Sequence, residues 1–133
     1  STVPREQREP PGLHESPGYG HVAVTSSTTL VYVAGQVALD PEFELIGAGD
    51  LAEQTRAAMR NVEIALAEGG AGWDDVVRRT IYTTRPTEWE TIGAAIDEVT
   101  GERGQPPQTV LGVTSLALPE LLIEIEVTAA IDA

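Results

Sequence analysis

The chain is expected to form one small α+β domain, and three observations carry that expectation. Two segments repeat apolar residues at helical spacing, several others are dominated by β-branched and aliphatic residues, and one of these alternates apolar and polar side chains along its length. A length of 133 residues with a hydrophobic fraction of 41% suits a single core of helices packed on a sheet.

Taken in order, residues 1–18 carry Pro4, Pro10, Pro11 and Pro17 among scattered charges and read as an irregular arm ahead of a single domain at 19–133. His21 to Ser26 and Leu30 to Val37 read as two strands of a hairpin, turning at Ser27-Thr28-Thr29. Gly35 interrupts the second of them, which marks either a bulge or a place where a ligand or another backbone comes close. After a polar loop, Asp50 with Glu53 forms a capping pattern ahead of Leu51, Thr55, Ala58, Met59, Val62, Ala65 and Leu66, an amphipathic helix ending at Gly69-Gly70. Val76 to Thr84 reads as a strand. Thr87 with Glu90 repeats the capping pattern before Trp89, Ile92, Ile96 and Val99, and this second helix stops at Gly101. A turn-rich loop leads to strands at Gln108 to Ala117 and Leu121 to Ala130.

The order is therefore β-β-α-β-α-β-β, with two one-faced helices covering the same face of a sheet. In the last strand Leu121, Ile123, Ile125 and Val127 alternate with Leu122, Glu124, Glu126 and Thr128, so one face is apolar and the other mixes carboxylates with aliphatic groups. A face of that mixed character is expected to meet a partner.

Composition removes several functions. Acidic residues number 21 against 8 basic ones, a net charge of −13, which repels phosphate backbones and argues against nucleic-acid binding; Arg78-Arg79, inside a strand pattern, is the one adjacent basic pair. Every basic residue is arginine, so lysine Schiff bases and lysine general bases are excluded. Without cysteine there is no thiolate chemistry, no disulfide and no thiolate zinc site. No apolar run approaches the ~18 residues a membrane span needs, and no basic segment leads into an apolar one at the N-terminus, so a cytoplasmic protein without a membrane partner is expected. Serine-nucleophile, P-loop and dinucleotide motifs are absent, and no His/Asp/Glu cluster has metal-ligand spacing; neither a metal nor a cofactor is expected.

The groups left for chemistry are few: Tyr19 and His21 at the start of the first strand, Gly35, Gln108 at the start of the fourth, and Glu124 on the polar face of the fifth. A carboxylate midway along an apolar strand is costly to bury unless it is hydrogen-bonded or acts as an acid or base, which singles out Glu124; a solvated strand position is the structural alternative. His21 has a packing role at a strand end as its alternative. Glu124 and Glu126 do not form a glycosidase-type pair, since neighbours on one strand cannot face each other across a cleft.

Several spaced stretches then point to one family. Val33-Ala34-Gly35-Gln36-Val37-Ala38-Leu39-Asp40-Pro41, Gly49-Asp50-Leu51-Ala52-Glu53-Gln54-Thr55-Arg56, Asn61, Trp73-Asp74-Asp75-Val76-Val77 and Ile123-Glu124-Ile125-Glu126-Val127 resemble the YjgF/RidA family, also labelled L-PSP endoribonuclease-like, from about Tyr19 to Ile131. The resemblance implies a chorismate-mutase-like fold, a homotrimer whose sheets form a central barrel, and a cleft between each pair of subunits. It also implies deaminase activity, the hydrolysis of reactive enamine and imine intermediates of amino-acid metabolism, with an arginine holding the substrate carboxylate and a glutamate positioning water. Carried over by motif, the glutamate is Glu124, the cleft tyrosine Tyr19 and the strand glycine Gly35.

Two positions depart from the family pattern. Pro106-Pro107-Gln108 stands where the family has Pro-Ala-Arg, and Gly93 stands where it has asparagine in the second helix. An amide lacks the charge and the bidentate fork of a guanidinium, so carboxylate capture through Gln108 is expected to be roughly ten- to a hundredfold weaker. Arg103, shortly before Gln108, is the candidate substitute, with a surface loop position as its alternative. Three functions follow: a hydrolase of imines with Glu124 activating water, a non-catalytic or regulatory metabolite-binding trimer, and, ranked last because of the acidity, an endoribonuclease.

Overall fold

In the computed structural model, which describes residues 5–101 and 103–132, the chain runs β1 (Glu6–Arg8), β2 (Val22–Val24), β3 (Thr29–Gln36), α1 (Leu51–Glu68), β4 (Val76–Thr83), α2 (Trp89–Thr100), β5 (Gln108–Gly112) and β6 (Ile123–Ile131). Strands β3, β6, β4 and β5 form one mixed sheet in that order; β3–β6 and β6–β4 are antiparallel and β4–β5 is parallel. The parallel pair follows from the connection, since α2 carries the chain back between β4 and β5.

Asp50 accepts a hydrogen bond from the Glu53 backbone N–H at 3.0 Å and opens α1 as the capping pattern anticipates. The helix closes on Gly69 and Gly70, the latter at φ +82°, where a residue without Cβ ends the turn at no steric cost. Met59, Val62 and Leu66 of α1, Ile92 and Ile96 of α2 and Ile81, Ile123 and Ile125 of the sheet are all at most 2% exposed and form one core. Burying an Ile or Leu of this kind stabilises the fold by about 1.5–3 kcal/mol, so this layer holds both helices on a single sheet face. Fully buried Gln54 ties the layer's edge together. Its Nε2 donates to the Gly47 and Glu120 carbonyls, both at 3.1 Å, and its Oε1 accepts from the Leu122 N–H at 2.9 Å.

The alternation in the last strand holds: Ile123, Ile125 and Val127 are buried, while Glu124, Glu126 and Thr128 lie on the opposite, outer face. That face also carries Leu30 and Tyr32 of β3, 49% and 75% exposed, and Leu111 of β5.

Four expectations are corrected. The hairpin between the first two predicted strands does not form; β2 pairs with β1, and β3 pairs with β6. Thr25 to Thr28 contain no residue at positive φ, which a tight hairpin turn would need, so the chain crosses to another sheet. The arm expected to be irregular over 1–18 is strand at Glu6–Arg8, and Arg5 next to it anchors that strand by donating to the Trp73 and Asp74 carbonyls at 3.1 and 2.9 Å; residues 1–4 lie outside the described residues. Thr87 does not cap α2, because Pro86 begins a 3-10 turn, Pro86–Glu88, that absorbs Thr87 and leaves the helix to begin at Trp89. The strand expected over Gln108 to Ala117 ends at Gly112.

Candidate functional site

A bulge, one of the two readings of Gly35, is present, with Val33 opposite Val127 and Gln36 opposite Ile125, one extra residue on β3. It coincides with a close approach. A Cβ on Gly35 would lie 2.0 Å from Glu124 Oε2 and 2.7 Å from its Cδ, so the Glu124 carboxylate occupies the space that any other residue would fill. Glu124 makes no hydrogen bond or ion pair with a described residue. Across β4, Tyr82 stands opposite Glu124 in the ladder, but its hydroxyl donates to Glu126, and that bond raises the Tyr82 pKa ahead of any effect of burial. Of these two outer-face carboxylates, Glu126 is engaged and Glu124 has no partner among the described residues.

A second feature lies on the helix side of the sheet. Tyr19, Gly93 and Gln108 line one cleft of about 570 Å³, together with Trp89, Ile92 and Val110. Its floor is Arg79, which the register places beside Gln108 on the neighbouring parallel strand. Arg79 is 3% exposed; its Nε donates to Gln108 Oε1 and its Nη1 to Gln105 Oε1 at 2.8 Å. Burial, and then the positive charge of Arg5, bring its pKa down to about 9, so the guanidinium is charged at neutral pH.

Of the residues singled out in the sequence, Tyr19, Gly93 and Gln108 thus meet in the cleft, while Gly35 and Glu124 meet on the other face of the sheet. Arg103 does not line the cleft. Its Nε donates to the Thr100 carbonyl at 2.6 Å and its Nη1 pairs with Asp74 at 3.0 Å, which hold it in the adjacent depression with Gly104 and Gln105. His21 packs edge-on against the His14 ring at 4.7 Å and reaches the His14 carbonyl through Nε2, a packing role at the strand end. Among the described residues no group of three or more His, Asp or Glu side chains is disposed to hold a metal ion, and no helix is long and apolar enough to cross a membrane.

Arg79 is the residue that sequence reasoning missed. In the sequence it stands only as half of the basic pair Arg78-Arg79 inside a strand pattern, yet it shares the strand phase of Ile81, which is fully buried. A charge on the apolar phase of a strand was the available signal.

A mixed sheet with two helices on one face, a carboxylate seated on a bulged glycine and a helix-side cleft define a small α+β protein with candidate sites on both faces of its sheet. The chain belongs to the Endoribonuclease L-PSP family, whose model matches residues 13–131. It is 34% identical over 99 residues to a RutC family protein of Pyrococcus abyssi, covering 74% of this chain and 76% of the relative. The 3-aminoacrylate deaminase RutC of Acinetobacter baylyi is 28% identical, with 79% and 82% covered. Among solved structures, the Rid family protein YyfB of Yersinia pestis superposes with a TM-score of 0.90 at 34% identity, covering 97% of this chain and all of that one.

Proposed function

We propose that this protein is a homotrimeric hydrolase of small enamine or imine intermediates, with Glu124 as the group that orients and deprotonates water. The observation that carries the reading is the Gly35–Glu124 arrangement. A carboxylate held by the missing side chain of a bulged glycine, and engaged by no described residue, is available for chemistry, unlike its neighbour Glu126. The reaction adds water oxygen to the imine carbon and expels ammonia. Glu124 takes a proton from water as the C–O bond forms and passes it to the nitrogen; the resulting carbinolamine then collapses, its hydroxyl proton also passing to nitrogen as the C–O bond becomes C=O and the C–N bond breaks. Similarity to a 3-aminoacrylate deaminase supports this reaction class.

The trimer is supported by the outer sheet face, where exposed Leu30 and Tyr32 lie on the same face as Glu124 and Glu126 and call for a partner surface. A second reading, binding without turnover, is favoured by Gln108, a neutral amide at the position where the family carries its carboxylate-holding arginine.

The deciding experiment generates 2-iminobutanoate or 3-aminoacrylate in situ and follows release of the keto product with and without the protein. Glu124→Gln is expected to lower the protein-dependent rate by about 10²–10⁴-fold, the range of a lost general base. An unchanged rate in the variant removes Glu124 from the reaction, and no rate in the native protein leaves the binding reading.

A further inference from the structure

Glu124 and Glu126 are next neighbours on the outer face of β6, and one phenol, that of Tyr82 on β4, stands between β6 and the sheet edge beside them. The register sets Tyr82 directly opposite Glu124 and Thr80 opposite Glu126. Side chains directly opposed in an antiparallel pair lie about 4.5–5.5 Å apart at Cβ, and diagonal neighbours about 7–8 Å apart. Glu124 is thus the nearer residue, yet the Tyr82 hydroxyl donates to Glu126. After that bond and burial, the charges of Glu126 and then of Glu124 also hold the Tyr82 pKa up, so Glu124 is close enough to compete for the hydroxyl. Two features explain the choice. Glu124 reaches the other way, to β3, where its Oε2 lies 2.0 Å from the place of a Cβ on Gly35. Arg78, on the same face opposite Thr128, donates to Thr109 Oγ1 at 3.5 Å and not to Glu126, which leaves that carboxylate to the phenol.

We propose that Glu126 is a positioning residue for Glu124: it captures the Tyr82 hydroxyl and so leaves the Glu124 carboxylate over Gly35 to take a proton from water. The proposal rests on reading Glu124 as the group that deprotonates water. A carboxylate that accepts a hydrogen bond from a phenol has its charge stabilised and is a poorer acceptor for a further proton. Without Glu126, the hydroxyl turns to the residue directly opposite it, draws Glu124 away from its seat on the bulge and weakens it as a base. The glycine of β3 and the Tyr82–Glu126 bond thus act from opposite sides on one carboxylate.

Glu126→Ala removes the acceptor and is expected to lower the protein-dependent rate of imine hydrolysis by about tenfold. Adding Tyr82→Phe takes away the hydroxyl that turns, so the double variant is expected to recover to within about threefold of native, a rescue that mere damage to the strand would not give. Glu126→Gln keeps an acceptor in place and is expected to retain the rate to about the same degree. Should Glu126→Ala fail to fold, Glu126→Val, with a side chain suited to a strand and no acceptor, replaces it. A native-like rate in the folded Ala or Val variant, a double variant no faster than the single one, or a Gln variant as slow as the Ala variant would overturn the proposal.

Titration of the tyrosines by absorbance reads the same turn without turnover. In Glu126→Ala the late-ionising tyrosine is expected to persist, because Tyr82 then donates to Glu124, and to return to the ordinary phenol range once Glu124→Gln is added. Its return in Glu126→Ala alone would show that the hydroxyl does not turn, and the proposal would fall. Glu124→Gln separates the two levels: an unchanged hydrolysis rate there overturns the reading on which the proposal rests, whereas a lost rate there beside a native-like rate in Glu126→Ala overturns the proposal alone.

Discussion

The Glu124 carboxylate lies where the side chain of residue 35 would be, 2.0 Å from the position of a Cβ on Gly35. Glycine at this point is a steric requirement set by a residue far away in sequence and next door in the sheet.

Gly35→Ala is therefore expected to expel Glu124 from its seat. Because the atoms that must move belong to a flexible, half-exposed side chain, the stability loss should stay near about 1–2 kcal/mol. Imine hydrolysis should fall as far as in Glu124→Gln, and the double variant should fall no further, a coupling that a double-mutant cycle measures. Additive losses would mean that Gly35 serves something other than Glu124.

Tyr82 should ionise above the ordinary phenol range, chiefly because its hydroxyl donates to Glu126. Spectrophotometric titration at alkaline pH checks this: of the three tyrosines, one is expected to lag, and Glu126→Gln should bring it back. A folded pKa above the unfolded value means the native state holds this proton longer. The stability from the pair is thus complete below the unfolded pKa near 10 and declines as pH rises through the folded one. Three coincident titrations would show that the hydroxyl does not hold Glu126 in solution.

Gln54→Ala removes a fully buried amide that serves two carbonyls and one N–H from separate loops. Those part-buried groups lose their partner, so a loss of about 1–3 kcal/mol is expected in denaturant unfolding. Gln54→Glu should also destabilise, since the carboxylate cannot donate to the Gly47 and Glu120 carbonyls. A loss below about 1 kcal/mol in Gln54→Ala would mean that water enters to replace the amide.

The outer sheet face makes the assembly testable. Light scattering should give a mass of three chains of 14.1 kDa. Leu30→Asp combined with Tyr32→Asp, at positions exposed in the single chain, should yield monomers that keep their fold and lose hydrolysis. A native monomer would remove the trimer, and with it any site shared between subunits.

Much of the fold was legible because local signals agreed with it. Asp50 caps α1, the Met59–Val62–Leu66 stripe packs inward, and the alternation around Glu124 separates the two sheet faces. The first predicted hairpin failed because strand signals say nothing about pairing: Val22–Val24 found Glu6–Arg8, a segment whose prolines and charges masked it. Thr87 failed as a cap because Pro86 imposed its own turn one residue earlier.

Period and composition were enough to determine an acidic α+β chain with two one-faced helices, a bulge-prone glycine and a carboxylate on the outer face, since all of these are properties of neighbours along the backbone. Only the tertiary structure decided that Glu124 fills the space over Gly35, that Arg103 is spent on Asp74, and that Arg79 lies under the cleft beside Gln108. Those relationships join residues distant in the chain, and strand register, set by the packing of the whole core, is what brings them together.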